Sequence, residues 1–205
     1  MKTLILATRN YGKVKEIKKL LSDLPLKIIS LEDLPELPPV VEDQVTFAGN
    51  AKKKAETIAR ECGGAVLADD SGLEVDYLEG RPGVYSACFA GPEAGDAANN
   101  NLLLKKLEAV PPAKRGAVFR CVMALALPGR ETSLVEGACR GRIAEQPRGD
   151  SGFGYDPLFI YEPAGITFAQ MSLEEKNMIS HRARALQKIR ILIEDLLGQE
   201  PEGGE

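Results

Sequence analysis

The 205-residue chain lacks tryptophan and carries a single histidine, His181. One histidine cannot build a His-rich metal site and by itself identifies no catalytic triad. Cysteine is sparse as well: Cys62, Cys88, Cys121 and Cys139 are widely spaced and form no CxxC pair. That usage suits a reducing compartment, and a cytoplasmic location is expected. Long apolar runs are missing. The run in "TLILAT" is interrupted by Arg9, too short for an export segment or a membrane span. There is no excess of positive charge either. With 26 Lys and Arg against 30 Asp and Glu, the net charge of -4 argues against a duplex nucleic-acid partner. It leaves room for a nucleotide enzyme whose few basic residues converge. No GxxxxGK[ST] is present, so a P-loop hydrolase is unsupported. Ser71 has no G-x-S-x-G frame, which favours a ligand contact over covalent catalysis. Cys88, with no histidine near it in sequence, reads as a buried small apolar residue.

What is present alternates between strand and helix signals, which points to an α/β fold. "TLILAT" reads as a buried strand, and the helix after it places Val14, Ile17, Leu20 and Leu21 on one face. "LKIISLEDL" is a second strand candidate, and the proline-rich "LPELPPVVED" has to be irregular. Ala51, Ala55, Ile58, Ala59 and Cys62 fall at helical spacing, and Gly63 supplies a stop. "AVLAD" is a strand running into "DSG", followed by an excursion through "LEVDYLEGRPGVYS" and a helix in "NNNLLLKKLEAV". "AVFRCVMALAL" and "TSLVEGACRGRI" predict an antiparallel pair turned at "PGRE", and "LFIY" a further strand. Ser172 and Glu175 match a capping box, and Leu186, Ile189, Ile193 and Leu197 mark one side of a last helix. No repeat or linker interrupts the chain. A single two-lobed domain over residues 1–197 is expected, with 198–205 a flexible acidic tail.

Several stretches carry candidate chemistry. Thr8, Arg9, Asn10, Tyr11, Gly12 and Lys13 lie between strand and helix, where open main-chain donors and a lysine can hold phosphate oxygens, or merely cap the helix. Asp69 and Asp70 end an apolar strand. Side-chain alternation sends them to opposite faces, so one can serve a divalent cation while the other orients a partner. Magnesium at Asp70 needs a second carboxylate, with Glu42 the natural choice and Asp43 its competitor. Among Lys52, Lys53 and Lys54, which point about 100° apart around a helix, Lys54 aligns with Asn50 and is the expected triphosphate contact. In "GDSGFGYDPLF", Gly149, Gly152 and Gly154 permit sharp turns, Phe153 offers an apolar platform and Asp156 can accept from a base edge. The same residues would also fit a glycine-rich hairpin with aromatic plugs. His181 and Arg182 supply donors suited to purine keto oxygens, and Lys176 lies just upstream. His181 could equally be a cap residue.

"LATRNYGKVKEI", "TFAGNAKKKA", "LADDSGLEVDYLEGRPGVYSA", "GFGYDPLF" and "EEKNMISHRARAL" together resemble the inosine/xanthosine triphosphate pyrophosphatase family. The resemblance implies a homodimer of elongated α/β subunits, each with a long mixed sheet flanked by helices and two lobes around a nucleotide cleft. It implies magnesium-dependent hydrolysis of inosine, deoxyinosine and xanthosine triphosphates to the monophosphate and pyrophosphate. By the same match Thr8, Asn10, Lys13 and Lys54 contact phosphates, and Glu42 and Asp70 serve the metal. Asp70 also stands at the position of the base, and Asp70, Asp69 and Lys13 form the expected catalytic group. Ser71, Phe153, Gly154, Tyr155, Asp156, Lys176, His181 and Arg182 contact nucleotide. Two positions depart from the pattern: Cys88 stands where the family commonly has arginine, and Gln170 where it usually has glutamate. A related pyrophosphatase of pyrimidine or methylated nucleotides, and a nucleotide-binding protein without turnover, are the rival readings.

Overall fold

The computed structural model describes residues 2–198 apart from 35 and 38. Seven strands form one mixed sheet: β1 (Lys2–Leu6), β2 (Leu26–Ser30), β3 (Ala65–Val75), β4 (Gly116–Ala126), β5 (Ser133–Ile143), β6 (Phe159–Tyr161) and β7 (Ile166–Thr167). Their order is β2-β1-β3-β4-β5-β6-β7; β1 runs parallel to β2 and β3, and every later pairing is antiparallel. Five α-helices flank it: α1 (Tyr11–Leu20), α2 (Phe47–Cys62), α3 (Asp96–Lys106), α4 (Leu173–Ile179) and α5 (His181–Gly198). This is the mixed α/β architecture expected from the sequence. No helix among the described residues is long and apolar enough to cross a membrane.

Local signals set the ends of these elements. The Asn10 side chain accepts from the Lys13 N–H at 3.1 Å and starts α1; Thr46 accepts from Gly49 at 3.0 Å and starts α2. Gly63 closes α2 in the left-handed region, with φ 64°. Both halves of the Ser172–Glu175 capping box form at α4. One expectation is corrected: "LEV" does not leave the sheet after "DSG". β3 continues to Val75 because β4 pairs with it in unbroken antiparallel register, from Val66↔Ala126 to Val75↔Ala117. Only then does the chain turn through short 3-10 segments at Asp76–Leu78 and Gly83–Cys88. α5 extends to Gly198, and the remainder of the expected tail, 199–205, lies outside the described residues.

Alternation along β4 divides the core. Cys121, Met123 and Leu125 face α1 and α5, where they pack with Ile17, Leu67 and Ile189; Val122, Ala124 and Ala126 face α2 and meet Ala51, Ala55 and Ile58. Farther along the same strands, Leu73 and Phe119 join Leu103 of α3 and Leu107, which caps it, with Phe159 and Phe168 in a third cluster. β3 and β4 therefore run through both lobes, and the residues between Ala68 and Leu73 lie at the junction. α5 approaches β5 closely: a Cβ on Gly137 would stand 2.2 Å from the His181 carbonyl oxygen and 2.3 Å from the Ala185 nitrogen. That contact is backbone against backbone and has no flexible side chain to give way. Gly137→Ala is expected to cost about 1–3 kcal/mol of stability, read as a lower denaturation midpoint in urea.

Candidate functional site

A cavity of about 380 Å³ opens at the junction of the lobes. The turn after β1 brings Thr8, Arg9, Asn10 and Lys13 to its wall, β3 brings Asp70 and Ser71, and Glu42 and Lys54 enter beside α2. Phe153, Gly154, Tyr155 and Asp156 come from the glycine-rich loop, Lys176 from α4, and His181 and Arg182 from the start of α5. Stretches separated by more than a hundred residues of sequence thus meet in one cleft. Two residues of the first stretch stay outside it: Tyr11 is 80% exposed, and Gly12 instead supports Phe153. A Cβ on Gly12 would stand 2.4 Å from the Phe153 ring, so only glycine lets the helix come so near.

The two aspartates part as strand alternation requires. Asp69 points toward α1 and α5, where Lys13 Nζ and Arg182 Nη2 each lie 3.2 Å from its Oδ2. Asp70 points toward α2. It accepts from Asn50 Nδ2 at 3.1 Å and lies 3.6 Å from Lys54 Nζ. Burial alone would raise the Asp69 carboxyl, but Lys13, Arg182 and Lys54 outweigh it and hold the group well below the usual carboxylate range. For Asp70 burial prevails, with Glu42 adding to it, over the pull of Lys54 and Lys13; its carboxyl is pushed up to about 6. Lys54 donates to Glu42 Oε1 at 2.9 Å and to the Asp69 carbonyl at 2.7 Å. Glu42 rather than Asp43 is the carboxylate at the cleft, since Asp43 is drawn to Lys53 at 2.7 Å. Lys52 and Lys53 stay on the outer surface, each paired with an acid.

Arg182 is 1% exposed and ties three elements together. Its Nη2 donates to Ser71 Oγ at 2.9 Å and to Asp69, and its Nη1 donates to Glu16 of α1. Glu16 also pairs with Lys176 at 2.8 Å, and Lys176 in turn donates to Asp156. Burial would raise Glu16, but Arg182 and Lys176 outweigh it and lower it. Asp156, pressed upward by burial against the pull of Lys176, also accepts from the Phe153 N–H at 3.0 Å. That fold-back answers why glycine stands at 152: at φ 79°, a Cβ there would meet the Asp156 carboxylate at 2.1 Å. His181 stacks on Phe119, 4.7 Å between ring centres, and its Nδ1 is buried without a partner. Burial, then the charges of Arg182 and Lys176, lower its pKa well below the usual value, so the imidazole is neutral. Tyr155 directs its hydroxyl to the Ser86 carbonyl at 2.9 Å.

Three findings go beyond the sequence reading or against it. Glu16 was missed, although its place in the inward stripe of α1, three residues after Lys13 and next to Ile17, was a visible sign of a buried charge. Asp96 and Asn99 of α3 also line the cleft. Cys88, expected to be buried, is exposed, because it ends a 3-10 turn outside the core; the buried thiols are Cys121 and Cys139, which burial raises to about 12 and about 11. Gln170 keeps its place by capping, accepting from the Thr167 N–H at 3.0 Å.

The Ham1 family matches residues 4–191 of this chain. The dITP/XTP pyrophosphatase of Bacillus licheniformis is 51% identical over 194 residues, which span 95% of this chain and 99% of that protein. The dITP/XTP pyrophosphatase of Geobacter sulfurreducens is 50% identical over 97% of this chain and 98% of its own length. Among solved structures, a HAM1 protein from Coxiella burnetii superposes with a TM-score of 0.86 at 38% identity, covering 95% of this chain and all of that one. The nucleoside-triphosphatase / dITP/XTP pyrophosphatase of Mycobacterium abscessus gives 0.74 at 42% identity, covering 91% and 98%.

Two outcomes follow from the buried charges. Glu16→Gln leaves two buried cations short of an anion and is expected to lower stability by about 3–5 kcal/mol in denaturant unfolding. The folded-state pKa of Asp70 lies above its ordinary value of 3.8, so the folded protein holds an extra proton between about pH 4 and 6. Metal-free stability therefore falls as pH rises through that window. Asp70→Asn is expected to raise metal-free stability at pH 8 by up to about 3 kcal/mol, a gain that disappears at pH 4.

Proposed function

This chain belongs to the Ham1 family, and from that membership we propose that it hydrolyses deaminated purine nucleoside triphosphates to the monophosphate and pyrophosphate. Inosine, deoxyinosine and xanthosine triphosphates are its substrates. The observation that carries the reading is the division of one cleft into two ends, a carboxylate pair with lysines at one and a glycine-rich loop with buried polar donors at the other.

The triphosphate lies against the turn after β1, where Lys13 and the main chain at the start of α1 meet its charge. Glu42 and Asp70 would hold magnesium. A buried acid raised to about 6 beside a second carboxylate would gain from a divalent cation. When bound, the cation would neutralise charge that builds on the phosphates. Asp70 takes the proton from a water that attacks the α-phosphorus; the bond from that phosphorus to the bridging oxygen breaks, and pyrophosphate leaves. Asp69, sealed in ion pairs, keeps Lys13 and Arg182 in place.

Selectivity comes from the other end. Phe153 gives the base an apolar face, and Asp156 accepts from the ring nitrogen of a keto purine. His181, neutral, and Arg182 donate toward its 6-oxygen. Adenine presents an amino donor there, and each unpaired buried polar group costs about 1–3 kcal/mol. The subunit works as a homodimer, a reading supported by its likeness to the family.

Magnesium-dependent pyrophosphate release is expected to be fast with inosine and xanthosine triphosphates and at least about a hundredfold slower with adenosine and thymidine triphosphates or in Asp70→Asn. In ¹⁸O water the label is expected in the monophosphate; label confined to pyrophosphate would exclude attack at the α-phosphorus. Efficient turnover of pyrimidine triphosphates would contradict the purine assignment.

A further inference from the structure

The first two turns of α3 grip one residue of the glycine-rich loop at both ends. The Gly154 N–H donates to Asp96 Oδ2 at 2.6 Å, and the Gly154 carbonyl accepts from Asn100 Nδ2 at 2.9 Å. Asp96 and Asn100 are four residues apart, so one helix face offers an acceptor and a donor together. Asp96 opens the helix, where its charge is favoured by the free N–H groups of the first turn. The intervening Asn99 holds the neighbouring wall in the same manner: its Oδ1 accepts from Ala90 at 2.8 Å and its Nδ2 donates to the Ala87 carbonyl at 3.0 Å. The helix is itself anchored, since Leu103 and Leu107 are fully buried in the third core cluster.

Gly154 adopts φ 60°, and a Cβ built there would have no atom within 4 Å. No side chain crowds this side of the peptide, and the two hydrogen bonds from α3 hold its N–H and its carbonyl. Its neighbours Phe153, Tyr155 and Asp156 all line the cleft, so the Gly154 peptide links the ring to the carboxylate.

We propose that Asp96 and Asn100 are positioning residues for base recognition, setting Phe153 and Asp156 through the Gly154 peptide. The proposal rests on the reading of this cleft as a purine nucleotide site. Its physical content is that base affinity is tied to the start of α3, some fifty residues before the loop that meets the base.

The test compares wild type with Asp96→Ala, Asp96→Asn and Asn100→Ala. Pyrophosphate release is measured with inosine and guanosine triphosphates, and Gly154 amide exchange is followed without nucleotide. Both alanine variants are expected to raise KM for inosine triphosphate about tenfold with kcat within about twofold, and to speed Gly154 exchange by a similar factor. Preference over guanosine triphosphate should narrow, and Asp96→Asn, which keeps an acceptor, should recover most of the KM. Faster Gly154 exchange with unchanged KM would overturn the proposal. So would equal losses in Asp96→Asn and Asp96→Ala with unchanged exchange, which would point to the Asp96 charge acting on the ligand directly. If wild type released no pyrophosphate from any deaminated purine, the functional reading would fail, while the exchange comparison would still judge the hold of α3 on the loop.

Discussion

The guanidinium of Arg182 is the joint on which the cleft depends. A cation sealed from water is costly unless its donors find partners, and here three residues on two elements supply them: Glu16 on α1, and Asp69 and Ser71 on β3. Burial works against the charge of Arg182, yet Glu16 and Asp69 more than offset it and strengthen its hold on the proton. Satisfying this one group fixes how α1 and α5 sit on the same face of the sheet. From it a run of alternating charges extends both ways, through Glu16 and Lys176 to Asp156 on one side, and through Asp69 to Lys13 on the other. The ends proposed to meet the base and the phosphates are parts of one electrostatic structure.

The pleat of β3 supplies the second constraint. Adjacent residues on a strand face opposite ways, so two neighbouring carboxylates enter environments of opposite character. Asp69 meets Lys13 and Arg182 and is locked in its ionised form, while Asp70 meets burial and Glu42 and keeps its proton to about pH 6. Two adjacent residues of the same type thus become a fixed anion and a titratable acid, the contrast on which the proposed division of roles rests.

Much of this was legible in the sequence. The helix of Val14 and Ile17, the stop at Gly63, the Ser172–Glu175 cap and the β4–β5 hairpin rest on short-range periodicity and turn chemistry, which act between near neighbours. The opposed aspartates followed from strand geometry alone. β3 ran past its expected end because its last residues are held by β4, some fifty positions away, and no local signal carries that pairing. Cys88 was misjudged since composition says what a cysteine prefers and not which face of a late 3-10 turn it occupies. The periodicity of α1 marked Glu16 as inward-facing, but its partners, like those of the α3 residues at the cleft, lie far away in sequence and became visible only when the chain was folded.

The most direct test of this account is a pH titration of the side-chain carboxyl carbons of Asp69 and Asp70 by NMR in the metal-free protein. An Asp70 midpoint near 6 is expected, with Asp69 ionised throughout the range in which the fold persists. An Asp70 that titrates in the ordinary carboxylate range, or an Asp69 that takes up its proton first, would contradict the division of roles.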